Sequence, residues 1–170
     1  MSSSKYGNHI VQYPPQYSVC TGCKSCQLLC SYKQDGVIGP QHGGIQVQHG
    51  ALDHMYHTVN ACFHCADAPC YNACPNKDKA MRLIAGTKIA YVNQEECVGC
   101  GACLNACKFK PSRIMLDTKN HKAKKCDLCS DRAEGPLCVQ YCPARALGLS
   151  EDKLPYVVNE EGEYVVNERN

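Results

Sequence analysis

The sequence predicts a loop-rich α+β fold of two fused lobes, held together by metal ligation more than by a hydrophobic core. Three observations predict it. Sixteen of the 170 residues are cysteine, roughly 9%, a level at which cysteine chemistry becomes the main constraint on a small fold. Trp is absent and Phe occurs twice, which excludes a large aromatic core. The remaining apolar residues fall in short alternating runs bounded by Gly, Asn and Asp, the pattern of small hairpins.

The elements follow in chain order. Residues 1–19 form an N-terminal arm, polar and rich in Ser, Tyr and Pro. Met1 to Tyr17 has no apolar segment of the kind a Sec signal needs. No run of about 18 apolar residues exists, so no membrane span is expected. A cytoplasmic location follows as the expectation, and with it thiols that are not paired into disulfides.

The cysteines then arrive in four groups of four. Cys20, Cys23, Cys26 and Cys30 read C-x2-C-x2-C-x3-C. Cys62, Cys65, Cys70 and Cys74 read C-x2-C-x4-C-x3-C. Cys97, Cys100, Cys103 and Cys107 repeat the first spacing, and Cys126, Cys129, Cys138 and Cys142 read C-x2-C-x8-C-x3-C. No cysteine is left over.

Three cysteines at such intervals wrap one loop around a cubic [4Fe–4S] cluster, and the fourth sits on a short helix and ligates the neighbouring cluster, as in two-cluster ferredoxins. Pro75 and Pro143 follow the last cysteine of groups two and four, as in the bacterial ferredoxin run, while Ser31 and Lys108 stand there in the other two. Gly22, Gly99 and Gly101 lie inside the loops, where glycine lets the backbone approach the cluster and turn N–H groups toward sulfur. Structural zinc usually takes two separated C-x2-C knuckles, which the x2, x2 spacing does not suit. Four clusters of roughly −2 each bring the formal +2 to near −6. The basic run His121 to Lys125 is then expected as a solvated face beside an anionic cluster. Without aromatic interleaving or a reader motif it does not suggest nucleic-acid binding.

The hairpins decide which groups pair. Ala80 to Ile84, the turn Ala85-Gly86-Thr87 and Lys88 to Val92 lead into Cys97, the linker of one two-cluster unit. Groups two and three then form an inner lobe, 62–107. Groups one and four close around it as a discontinuous outer lobe, 20–61 with 108–149. The swap rule gives four sets: Cys20, Cys23, Cys26 and Cys142; Cys30, Cys126, Cys129 and Cys138; Cys62, Cys65, Cys70 and Cys107; Cys74, Cys97, Cys100 and Cys103. Tandem pairing, one with two and three with four, is the alternative. A second hairpin is expected across Asp117 to Asn120, from Arg113–Leu116 to Lys122–Lys124. Asp35 to Gly50 reads as loop with one strand at Ile45 to Gln48. The echo of Tyr-Val-Val-Asn-Glu at 156–160 and 164–168 predicts a C-terminal hairpin tail within 150–170. It is either an edge hairpin packed on its own lobe or a docking element. His64 lies between two ligands but is surplus to a complete cysteine count. His42, His49, His54 and His57 read as a solvated or interface loop.

This layout resembles the iron–sulfur electron-transfer subunits of molybdenum and tungsten pterin oxidoreductases, from Cys20 to about Leu149. The matching runs are C-T-G-C-K-S-C-Q-L-L-C at 20–30, C-F-H-C-A-D-A-P-C-Y-N-A-C-P at 62–75, C-V-G-C-G-A-C-L-N-A-C at 97–107, K-C-D-L-C at 125–129 and C-P-A-R-A-L at 142–147. The opening run with Ser31 and the following Asp35-Gly36-Val37 is more similar to the small subunit of tungsten aldehyde oxidoreductases, with the benzoyl-CoA reductase type next. Lys108 and the stretch Lys110 to Arg113 depart from the usual pattern. The resemblance implies a non-catalytic polyferredoxin subunit of anaerobic metabolism carrying four [4Fe–4S] clusters. It implies a tungsten- or molybdenum-pterin catalytic partner, with an FAD-containing flavin subunit, a soluble carrier or further copies of the chain as additional partners. A free-standing polyferredoxin carrier is the alternative. No Ser-His-Asp set, P-loop or dinucleotide fingerprint appears, so no catalytic residue is assigned.

Overall fold

A computed structural model describes residues 5–50, 56–117, 119–152 and 155–166. Among these residues the secondary structure is brief: four α-helices, a single 3-10 turn and ten short strands. The strands pair only two by two, into five antiparallel ribbons. Two-stranded ribbons are marginal alone, so their stability must come from packing and, in a chain with this cysteine content, from ligation.

β1 (Ile10–Gln12) pairs with β8 (Leu147–Leu149), Val11 opposite Gly148. α1 (Ser25–Asp35) is the longest helix and ends where Gly36 enters the left-handed region and donates its N–H to the Tyr32 carbonyl, the usual glycine stop. A 3-10 turn at Pro40–His42 leads to β2 (Gln46–Gln48), which pairs with β3 (Thr58–Asn60). α2 (Pro69–Asn72) precedes the ribbon of β4 (Met81–Leu83) and β5 (Ala90–Val92). α3 (Ala102–Ala106) precedes β6 (Ile114–Asp117) and β7 (Lys122–Lys125), which pair with Ile114 opposite Lys125. α4 (Leu137–Gln140) packs on α1. β9 (Tyr156–Val158) and β10 (Tyr164–Val166) close the described chain as a hairpin.

The buried apolar residues form two clusters. One gathers Ile10, Ile45, Val47, Leu128 and Leu147 with Cys26, Cys62, Cys126 and Cys138. The other gathers Met81, Ala90, Ile114 and Ala123 with Cys70 and Cys103. Cysteines contribute to both, so both cores are in part walls of thiol-lined sites. The architecture is loop-rich α+β.

The N-terminal segment is woven into this frame. Besides β1, Tyr13 donates its N–H to the Ala146 carbonyl at 2.9 Å, and Ser18 Oγ donates to the Ala144 carbonyl at 2.6 Å. The tail hairpin packs on the same segment, with the Tyr156 ring 5.1 Å from Tyr17 and 6.0 Å from Tyr13. Its valines Val157, Val158 and Val165 stay exposed.

The basic run is not a solvated face. Only His121 is exposed; Lys122 is half-buried, and Lys124 and Lys125 are each 3% exposed. The reason is β7: pairing with β6 turns this run into an interior strand, and each ammonium finds its own partner. His42 likewise lies buried, its Nδ1 3.1 Å from Asp35 Oδ2 and 3.2 Å from Asp117 Oδ2. His49 and His57 stack edge to face at 4.8 Å. His54, Thr118, Leu154 and the Asn167-Glu168 end of the tail repeat lie outside the described residues.

Candidate metal centres

Each cysteine group builds the same local shape. The residue before the second cysteine sits in the left-handed region in all four: Gly22 (φ 68), His64 (φ 47), Gly99 (φ 68) and Leu128 (φ 58). This bend lets the two cysteines of a C-x2-C knuckle face one point. Glycine adopts it freely. His64 and Leu128 hold it at a cost of about 1–2 kcal/mol each, tolerable only where surroundings impose the shape.

The third cysteine then opens a short helix and the fourth lies four residues on. Cys26 and Cys30 share α1; Cys70 and Cys74, Cys103 and Cys107, and Cys138 and Cys142 lie on or just beyond α2, α3 and α4. A separation of four residues along a helix is about 6 Å, so the two thiols of each pair face neighbouring sites.

The structure gathers the cysteines accordingly. Cys20, Cys23, Cys26 and Cys142 line one recess of about 310 Å³. Cys62, Cys65, Cys70 and Cys107 line a second of about 400 Å³. Cys74, Cys97, Cys100 and Cys103 line a third of about 380 Å³. In the remaining set, Cys138 has Cys30 and Cys129 as its nearest thiol influences, and Cys126 has Cys138 and Cys30. All sixteen thiols are free of disulfides.

Electrostatics records the crowding. Burial, followed by Cys20, Cys142 and Cys23, pushes the Cys26 thiol up to about 12. Burial, then Cys70, Cys97 and Cys100, does the same to Cys103, again to about 12. Burial lifts Cys30 to about 11 against a backbone N–H from Gly44. Such groups resist ionisation side by side until a cation neutralises them. Thiols of adjacent sets also crowd one another, which orders the sets. Cys138 feels Cys26, Cys126 feels Cys62, and Cys103 feels Cys70. The four sites therefore run in a line: the Cys20 set, the Cys126 set, the Cys62 set, the Cys97 set.

The donor chemistry suits iron–sulfur clusters. Each site offers four thiols, and backbone N–H groups point at sulfur: Gly44 to Cys30 at 3.2 Å, Arg113 to Cys107 and Ala146 to Cys142 at 3.3 Å, His64 to Cys62 and Leu128 to Cys126 at 3.4 Å. Gly22, Gly99 and Gly101, expected to supply such N–H groups, are not among these donors; Gly22 and Gly99 serve the bend, and the N–H groups come from residues that follow or cross the loops. Only Cys23 and Cys100 are exposed, one at each end of the line.

Sequence reasoning missed the buried polar groups between the sites. Lys125 Nζ donates to the Ala90 carbonyl at 2.6 Å and the Cys126 carbonyl at 3.2 Å, and lies 3.2 Å from His64 Nδ1. Burial first, then the Lys125 charge, drives His64 down to about 2, a neutral imidazole. Lys124 pairs instead with Asp35, beside His42 and Asp117. The alternation of β7 hinted that at least one of these lysines points inward.

Comparison with known proteins places these features. The family model described as the 4Fe-4S dicluster domain matches residues 53–152. The electron transport protein HydN of Escherichia coli K12 is 31% identical over 152 residues, covering 76% of this chain and 82% of that one. The polyferredoxin-like subunit of the aliphatic sulfonate oxidoreductase of Pyrococcus furiosus is 36% identical over 124 residues, 72% of this chain and 66% of its own. The active-site complex BamBC of benzoyl coenzyme A reductase, solved with 1,5-dienoyl-CoA, aligns with a TM-score of 0.48 at 19% identity, covering 89% of this chain and 79% of that one. The family match, the relatives named as electron carriers and the thiol-lined recesses agree: this chain belongs to the 4Fe-4S dicluster domain family and is a non-catalytic [4Fe–4S] electron-transfer subunit of the oxidoreductase type.

Proposed function

We propose that the chain carries four [4Fe–4S] clusters and relays single electrons between a tungsten-pterin catalytic subunit of the aldehyde oxidoreductase type and a flavin subunit or soluble carrier. The ligand sets are Cys20, Cys23, Cys26 and Cys142; Cys30, Cys126, Cys129 and Cys138; Cys62, Cys65, Cys70 and Cys107; and Cys74, Cys97, Cys100 and Cys103. Two ferredoxin-like lobes result, the outer discontinuous and the inner continuous, and the complex works in the cytoplasm. Among the described residues no helix is long and apolar enough to cross a membrane.

The observation that carries the reading is the line of four four-thiol sites with one exposed cysteine at either end. Bound clusters supply the one-electron chemistry. The chain's own residues set spacing through the shared helices, aim N–H groups at sulfur, and wall the middle sites from water. The choice of a tungsten aldehyde partner rests on the run Cys20 to Ser31 with Asp35-Gly36-Val37.

The test is anaerobic purification of the tagged chain with whatever accompanies it. About 16 iron atoms per chain, a tungsten-containing large subunit, and bleaching of the cluster absorbance on adding an aldehyde are expected. Roughly 12 iron atoms remove one site. A molybdenum partner, or bleaching by an aliphatic sulfonate, the substrate class in the name of the Pyrococcus relative, would move the chain to another oxidoreductase.

A further inference from the structure

Two adjacent lysines of β7 are buried to the same degree and are neutralised differently. Lys124 meets the Asp35 carboxylate. Among the described residues Lys125 meets no carboxylate: its Nζ is held by two backbone carbonyls and lies 3.2 Å from the His64 ring nitrogen. Arg113, half-buried, sits over the rings of Phe63 and Phe109 at 5.7 and 5.5 Å, and its buried Nε and Nη1 find no hydrogen-bond acceptor. Among the described residues it forms no ion pair. A desolvated cation without an anion is costly to fold around. Two of them beside one site point to an anion that belongs there.

Both side chains line the recess of Cys62, Cys65, Cys70 and Cys107, together with Lys88 and with Lys108, which pairs with Asp67. Among the described residues no charged side chain lines the recess of Cys74, Cys97, Cys100 and Cys103, and only Lys24 lines that of Cys20, Cys23, Cys26 and Cys142. At the Cys126 set the neighbouring charges are Asp127, Asp131 and Lys33, and this lysine is already paired with both carboxylates. The line of sites is electrically uneven, and its positive maximum is at the Cys62 set.

We infer that Lys125 and Arg113 are the built-in counter-ions of the cluster at Cys62, Cys65, Cys70 and Cys107, and that they make it the first in the chain to accept an electron. They are positioning residues: neither ligates iron. One-electron reduction adds one negative charge to a cluster, and a fixed nearby cation favours the reduced form most where water is excluded. The electron is held inside the line, two sites from the exposed Cys23 end and one from the exposed Cys100 end.

The inference rests on the four-cluster reading, and the experiment separates the two. The full-length chain in its native complex is titrated anaerobically and followed by electron paramagnetic resonance, with iron counted in every variant. The signal that appears at the highest potential should be lost or altered in Cys65→Ser and unchanged in Cys100→Ser. In Lys125→Met the reduced-to-oxidised ratio of that signal at fixed potential should fall at least tenfold, about 59 mV for one electron. Arg113→Gln should shift it in the same direction, Arg113→Lys should restore it, and the exposed Lys79→Ala should not move it. If the highest-potential signal belongs to another cysteine set, the inference fails on the cysteine variants alone. It fails also if variants retaining full iron move that signal no more than Lys79→Ala does. A Cys65→Ser protein with the iron content and spectra of the parent would instead overturn the assignment of a cluster to this site.

Discussion

Gly44→Ala should cost the protein one particular cluster. Gly44 lies in the loop before β2, and its N–H donates to Cys30 Sγ at 3.2 Å. A Cβ there would stand 2.2 Å from the Cys126 backbone N, 2.5 Å from the Lys125 carbonyl carbon and 2.7 Å from Cys126 Cα. All three are backbone atoms, so no side chain can swing away. The loop or the Cys126 strand end must move by more than half an ångström to restore ordinary contact. Overpacking of a fitted interior costs about 1–3 kcal/mol. Weakening a hydrogen bond to a charged acceptor, here a thiolate, adds about 1.5–3 kcal/mol. The sum, about 2.5–6 kcal/mol, falls on two ligands of one set, since Cys30 and Cys126 are both assigned to it. It is a large share of a domain's usual 5–15 kcal/mol. Iron and acid-labile sulfide should fall from about 16 to about 12 per chain, with the signals of the other three sites kept. Gly36→Ala is the control for backbone strain without overpacking: at φ 66 an alanine costs about 1–2 kcal/mol, but no atom stands within 4 Å of its Cβ position, and all four sites should keep their iron. A Gly44→Ala protein with full iron and parental spectra would refute the close threading of this loop between the two ligands.

Other expectations follow from the same geometry. Cys142→Ser should damage the site of Cys20, Cys23 and Cys26 and spare that of Cys126, Cys129 and Cys138; damage to the latter would contradict the swap, and damage to the site of Cys97, Cys100 and Cys103 would restore the tandem arrangement. On brief exposure to air the end sites should lose iron first, because Cys23 and Cys100 are the exposed cysteines; mass spectrometry after alkylation should find these two labelled before the buried Cys126 and Cys138. Lys124→Met leaves the Asp35 carboxylate beside Asp117 without its cation, and removing one partner of a buried pair costs about 3–5 kcal/mol; cluster release in denaturant should speed up accordingly, and an unchanged rate would show the pair to be inert. Deleting residues 154–170 removes the exposed valines of β9 and β10 and should weaken association with the catalytic partner at unchanged iron content; co-purification in the same ratio would reduce the tail to an edge hairpin.

Much of the site could be read from spacing because cluster ligation is local. A C-x2-C knuckle and a fourth cysteine one helical turn on are set by the backbone geometry of about ten residues. The hairpins of β4 with β5 and of β6 with β7 were legible for a similar reason: short alternating runs around Gly86, and around the Asp117 to Asn120 turn, where Asp117 Oδ1 accepts the N–H groups of Lys119 and Asn120. The N-terminal segment was harder. Ile10 to Gln12 shows no strong strand signal, and its partner lies more than 130 residues away at Leu147 to Leu149.

By itself, then, the amino-acid order determined the class of cofactor, the C-x2-C knuckles and the short elements that carry the thiols, since each of these depends on neighbours in the chain. What only the tertiary structure decided is the environment of each site. His121 to Lys125 has the composition of a wet basic surface, yet folding puts Lys124 on Asp35 and Lys125 between two thiol sites with no carboxylate. Charge in a sequence is additive, whereas its effect depends on which partner replaces the lost water. That partner comes from residue 35 in one case and from residues 64 and 90 in the other, and no local pattern around β7 encodes either.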